Sequence, residues 1–269
     1  MKQISKIIAL ALGLSQAPVF AGPTTVVLLM GNTFESVVGD FSGLVYLANT
    51  VKINDRYSLI PELRTDFNLT TGGKSAVSAS HTYARIYLRD NSLARVGAWK
   101  VGMMYRYALP TTMALQEAGS FGTLSVRPDI SRSFLDSKLN ILGRLTLSAG
   151  LLRNRYQVLS TGEAGDKRTG NAIYSHVLEF LPSYQISESF SANLNWTVDG
   201  ALVLAAQGAT EGSFKHRFYH SYGVAYSSPA IWDTSIEVGF SHGPSAFGKG
   251  FTLMSKKGGA YYIELARVF

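Results

Sequence analysis

"GAYYIELARVF", residues 259–269, carries apolar side chains at alternate positions and stops on an aromatic. Tyr261, Ile263, Leu265 and Phe269 share one parity; Tyr262, Glu264 and Ala266 fall on the other. A period of two puts these sets on opposite faces of an extended strand, one apolar and one mixed. Soluble domains usually finish in polar, frayed tails. The question is what this apolar face touches.

The chain has 269 residues, 46% hydrophobic and only 16% charged, with 26 Gly, 14 Phe, 14 Tyr and no Cys. That balance fits neither a disordered chain nor a typical helical enzyme. No apolar run reaches the roughly 18 residues that a spanning helix requires. At the front, "MKQISKIIALALGLSQAPVFA" has Lys2 and Lys6, an apolar run over 7–14, and small residues at Val19 and Ala21. This reads as a cleaved secretory signal peptide over 1–21, leaving one domain over 22–269. A cytosolic amphipathic helix fits less well, because the apolar run has no polar face. No Cys adjoins the cut to carry a lipid.

Export permits disulfides, yet this chain has no Cys, so packing or an extended hydrogen-bonded sheet must supply its stability. The formal charge is +7, and losing Lys2 and Lys6 leaves +5. No spaced Arg/aromatic platform for nucleic acid occurs, and no nucleic-acid partner is expected.

The terminal alternation recurs along the chain. Gly97, Trp99, Val101, Met103, Tyr105, Tyr107 and Leu109 oppose Lys100, Gly102, Met104 and Arg106. Leu139, Ile141, Leu145 and Leu147 oppose Asn140, Arg144, Thr146 and Ser148. The same dyad pattern runs through "FSANLNWTVDG", "IWDTSIEVGF" and "YSLIPELRTDFNL". Strands are predicted near 24–32, 38–53, 56–69, 78–90, 94–109, 121–130, 137–152, 172–186, 189–204, 215–227, 231–242 and 258–269. That makes about twelve, each near or above the roughly 9–11 residues a tilted strand needs to cross a bilayer; ten or fourteen also fit the pattern.

A soluble sandwich alternates too. Two features count against it: large aromatics near strand ends on the apolar face, and connections that alternate in length. Tight turns are predicted around Asp55, Asn91, Glu188 and Pro229. Longer polar stretches fall at 70–78, 110–120, 160–171, 208–215 and 241–259. In lipid every backbone N–H and C=O needs an internal partner, so a sheet there must close on itself. The expected fold is therefore all-β: a closed antiparallel transmembrane β-barrel, with short periplasmic turns, longer extracellular loops and its apolar face in lipid.

On these residues the whole mature chain resembles the single-chain, porin-like outer-membrane β-barrel proteins of Gram-negative bacteria. The resemblance implies a cell outer membrane location among lipid and lipopolysaccharide. It also implies recognition of Tyr261, Ile263, Leu265 and Phe269 by the barrel-assembly machinery; Arg267 departs from that pattern, where an apolar residue is usual.

Such barrels serve many functions, so function must be argued from the lumen. By parity, a basic wall of Arg85, Lys100, Arg106 and Arg144, with Arg127 and Lys138, faces an acidic wall of Glu62, Asp199, Glu237 and Glu264, with Glu179 and Asp233. Arg64, Asp129 and Arg217 break the segregation. Counted from the predicted tight turns, Glu62, Arg85, Lys100, Arg144, Glu237 and Glu264 lie near mid-height. Opposed walls resemble a porin constriction, whose transverse field orders polar solutes. The expected function is a narrow water-filled pore for passive diffusion of small polar or charged solutes. The alternatives are a lumen plugged by direct ion pairs and a barrel that adheres through its loops. In those loops Lys167, Arg168, Lys249, Lys256 and Lys257 are candidates for lipopolysaccharide phosphates.

No enzyme is expected. In outer-membrane phospholipases a His and a Ser two apart share one strand face, whereas His220 and Ser221 are adjacent and fall on opposite faces. His242 and Ser245 belong to a Gly/Pro turn segment. His81, His176 and His216 show no metal-ligand spacing, so no metal or cofactor is expected.

Overall fold

The computed structural model describes residues 24–33, 40–70, 78–111, 116, 119–153, 156–160, 166–170, 172–203, 213–228, 234–246 and 259–268. They form fifteen strands: β1 (Thr24–Thr33), β2 (Asp40–Asn49), β3 (Val51–Lys52), β4 (Tyr57–Thr70), β5 (Ser78–Val96), β6 (Trp99–Ala108), β7 (Ser120–Phe134), β8 (Leu139–Leu152), β9 (Tyr156–Ser160), β10 (Asp166–Gly170), β11 (Ala172–Gln185), β12 (Phe190–Val203), β13 (Ser213–Ser228), β14 (Thr234–Ala246) and β15 (Gly259–Val268). Thirteen belong to one antiparallel sheet in the order β2-β1-β15-β14-β13-β12-β11-β8-β7-β6-β5-β4-β3. In addition β2 pairs along its length with β4, from Asp40 opposite Thr70 to Ala48 opposite Glu62. Among the described residues no helix is long and apolar enough to cross a membrane, which bears only on helices.

The thirteenth strand has a simple origin. The segment predicted as one strand over 38–53 is interrupted at Thr50, so β2 and the two-residue β3 follow each other along β4.

The tight turns are built from residues suited to them. At 53–56 the Asn54 side-chain oxygen accepts hydrogen bonds from the backbone N–H groups of Arg56 (2.9 Å) and Tyr57 (2.7 Å), an Asx turn. At 186–189 the Ser187 hydroxyl accepts from the Phe190 N–H at 3.2 Å. The turn predicted around Asn91 is absent. Strand β5 runs on to Val96, with a register shift between Asp90 and Ala94, and the chain reverses at Gly97, whose φ of 62° suits glycine. The polar trio at Asp90–Ser92 reads as a turn but is absorbed as a bulge, because β6 pairs on both sides of it. The stretch predicted as a loop at 160–171 contains β10, which forms a separate hairpin with β9. The turn predicted around Pro229 lies outside the described residues.

The dyad pattern sorts side chains as the alternation requires. Leu63, Ile86, Val126, Leu178, Trp196, Val238 and Ile263 are exposed on one face. An apolar surface of this extent marks a lipid or partner contact rather than a soluble exterior. On the other face Ser58, Glu62, Ser125, Thr146 and Ser148 are buried. There, too, Ala48, Ile60, Tyr87 and Met104 form a buried cluster with Tyr46 against it, so the β2–β6 side is packed.

On the opposite side the polar face is shaped by two glycines. Gly239 lies between Gly223 and Tyr262 in the pairing. The Tyr262 ring fills the place of the missing side chain: a Cβ on Gly239 would sit 2.5 Å from Tyr262 Cζ and 2.5 Å from the backbone oxygen of Tyr222. Gly239→Ala is expected to destabilise the protein by about 2 kcal/mol in urea unfolding, since a backbone atom must move. Gly143→Ala, whose Cβ would meet only Ile130 at 3.4 Å or more, is expected to cost within about 0.5 kcal/mol. Equal losses from both would remove the steric argument.

Candidate functional site

The polar face carries the candidate site, and cross-strand register decides which charges meet. Glu62 on β4 lies opposite Arg85 on β5. Arg85 Nη1 donates to Glu62 Oε1 at 3.0 Å, and the Tyr46 hydroxyl hydrogen-bonds the same carboxylate. One expected basic residue thus neutralises one expected acidic residue. Farther round, Glu179 on β11 is opposite Arg144 on β8. Glu179 lies 3.6 Å from Arg144 and 3.9 Å from Arg127, so two guanidiniums share one carboxylate. Arg106 reaches no carboxylate among the described residues; it donates to the hydroxyls of Ser125 (3.0 Å) and Ser148 (3.4 Å).

Lys100 stands apart from these. It follows the Gly97 turn closely and is exposed at the short-turn end, whereas counting from a turn at Asn91 places it at mid-height. Lys138 is exposed in the turn at 135–138. Asp233 lies outside the described residues.

Of the acidic residues, Asp199 is held bidentately by Arg217, at 3.1 and 2.7 Å, and accepts from the Tyr219 hydroxyl at 3.3 Å. Glu237 accepts from Asn193 Nδ2 and from the Tyr262 hydroxyl, each at 2.5 Å. Glu264 sits directly opposite Glu237 on the neighbouring strand. Neither has an ion-pair partner among the described residues.

These two carboxylates border a cavity of about 700 Å³, with Asn140, Ser183, Asn193, Asn195, Ser221 and Ser241 among the residues that line it. Leu142, Leu181, Pro182 and Leu194 line it as well, so these amides and hydroxyls sit among apolar side chains, and no Lys or Arg belongs to the lining. Neither Asn193 nor Tyr262 is among the charged wall residues expected from sequence. Their parity is visible in the sequence, but their convergence on Glu237 is not, because three different strands supply the groups.

His220 lies on the apolar face, stacked against His242 at 5.2 Å, while Ser221 faces the cavity. The separation of a potential base from a potential nucleophile therefore holds in three dimensions. Among the described residues no group of three or more His, Cys, Asp or Glu side chains is gathered to hold a metal ion. The end of β15 pairs with β1 and β14 and exposes Tyr261 and Ile263; Phe269 lies outside the described residues.

No known protein-family profile matches the chain. No curated protein matches it in sequence. Solved structures match its fold. An outer-membrane channel from Pseudomonas putida F1 superposes with a TM-score of 0.60 at 11% identity, over 92% of this chain and 96% of that one. The NanC porin superposes with a TM-score of 0.51 at 9% identity, over 91% and 98%. The chain therefore has the antiparallel all-β fold of outer-membrane channels and porins.

Proposed function

We propose that the chain is a closed outer-membrane β-barrel whose lumen passes small polar or charged solutes by passive diffusion. Closure is supported by the pairings: each long strand of the sheet has hydrogen-bonded neighbours on both sides, β2 lying between β1 and β4. With β3 taken as the continuation of β2, the ring has twelve staves and no edge, which is what lipid demands. Twelve falls between the filled eight-stranded and the wide sixteen-stranded barrels, consistent with a narrow lumen.

The single observation that carries the pore reading is the cavity of about 700 Å³ on the polar face. Opposed electrostatics add to it: Arg106, Arg127 and Arg144 exceed by one charge the carboxylates of Glu179 and of Asp129, which lies opposite Arg144, while Glu237 and Glu264 stand across the ring with no ion-pair partner among the described residues. A solute crossing between them meets a transverse field. Residues 1–21 act as the export signal in this reading, Tyr261, Ile263, Leu265 and Phe269 as the assembly signal, and the long loops face lipopolysaccharide.

A non-conducting structural or adhesive barrel is favoured by one observation, the packed β2–β6 side, where Tyr46, Ile60, Tyr87 and Met104 join the Glu62–Arg85 pair. Current through planar bilayers separates the two. Refolded protein is expected to give steady single-channel current, and Arg144→Glu to move the reversal potential in a salt gradient toward cation preference. Silence from protein shown to be folded would sink the pore.

A further inference from the structure

The histidines point to a second site, independent of the lumen. On the apolar face His176 of β11, Gly200 of β12 and His216 of β13 form one row across three adjacent strands. Flanking strands are separated by two interstrand spacings, about 9–10 Å. Yet the imidazole centroids are only 5.5 Å apart, so both rings lean over the glycine.

Their nitrogens converge there. Measured from the point a Cβ on Gly200 would occupy, the Cε1–Nε2 edge of His176 lies at 2.5 and 2.8 Å and His216 Nδ1 at 3.0 Å. Any side chain larger than hydrogen at this position would displace one ring or the other. Glycine inside a strand weakens it and often marks a close approach or a ligand. The flanking "TVDGALV" has no turn to explain it, because β12 continues to Val203.

Two imidazole nitrogens within 3.0 Å of one point are donors of the kind that suits zinc, copper and nickel. Zinc binds imidazole nitrogen at about 2.0–2.1 Å, so a modest ring rotation brings both within reach. The row lies toward the long-loop end of the strands, opposite the 186–189 turn, and His216 is exposed. An ion can arrive from outside and complete its shell with water.

We propose that His176 and His216 bind a divalent transition-metal ion over Gly200 on the outer surface of the sheet. Linear spacing hides such a pair, because its members come from strands separated by a whole strand and a loop.

Calorimetric titration of tag-free, detergent-folded protein with zinc chloride tests it. The expected result is one zinc ion per chain at micromolar affinity. His176→Gln and His216→Gln are each expected to weaken it at least about tenfold. Gly200→Ala, which keeps both ligands but fills the space, is expected to weaken it similarly. His220→Gln/His242→Gln is the control on the neighbouring stacked pair and is expected to bind as the parent does. Absence of zinc binding by the parent, or binding untouched by His176→Gln and His216→Gln, overturns the proposal. Binding lost only in the control overturns it as well, by assigning the metal to the other pair.

Discussion

Replacing Glu237 and Glu264 together by Gln is expected to lower the cation-over-anion permeability ratio of the pore about tenfold, read from the reversal potential in a salt gradient. The two carboxylates face each other on β14 and β15 beside the cavity, with no cation paired to either among the described residues. A cation passing about 4 Å from one carboxylate gains about 4 kcal/mol at an effective dielectric of 20. Dehydration and salt screening offset much of this. A residual difference of about 1.4 kcal/mol already gives a tenfold ratio.

The single variants should differ. Both oxygens of Glu237 are occupied, by Asn193 and by Tyr262, so part of its charge is already answered by dipoles. Glu264→Gln should therefore move selectivity more than Glu237→Gln. An unchanged reversal potential in the double variant would show that permeating ions do not pass this wall.

Arg85→Ala is expected to destabilise the protein by about 3–5 kcal/mol in urea unfolding, because it strands the Glu62 carboxylate. That side chain is only 3% exposed and sits beside Ile60 and Tyr87, whereas Arg85 is 23% exposed. The cost comes from leaving a buried charge uncompensated, rather than from the net strength of the pair. The double variant Arg85→Met/Glu62→Gln removes both charges and should cost far less, about 1–2 kcal/mol.

The Arg56–Asp90 pair supplies the contrast. Its guanidinium is hydrogen-bonded to Asp90 at 3.1 Å but is 60% exposed at the turn rim. Because water screens this exposed guanidinium, Arg56→Ala should shift the urea midpoint far less than Arg85→Ala does, even though Asp90 itself is 14% exposed. If Arg85→Ala were equally mild, Glu62 would have to be hydrated in solution and the β2–β6 side open to water.

Much of this architecture is legible in a period of two. Alternation in "GAYYIELARVF" and its counterparts assigns each residue to a face, and both large aliphatics and small polar groups follow it: Ile263 and Val238 are exposed on the apolar face, Ser125 and Ser148 buried on the polar one. Turn chemistry at Asn54 and around Glu188 is equally local, since the residues that make the turn also cap it. The same local logic misreads Asp90–Ser92. Polar residues suit a bulge as well as a turn, and only continued pairing with β6 decides between them.

Alternation does not specify how far one strand slides past the next by two residues, a shift that keeps every face and changes every partner. Register is therefore a tertiary quantity, set by turn lengths and by the packing of whole faces. It decided that Arg85 meets Glu62 and that Arg127 and Arg144 share Glu179, while the turn at Gly97 put Lys100 at the rim. Convergence across several strands is tertiary for the same reason, as at Glu237 and over Gly200. Residue order alone makes this an all-β chain with one apolar and one polar face. Which charges are neutralised and which are left to act follows from the folded sheet, because that depends on register and curvature rather than on parity.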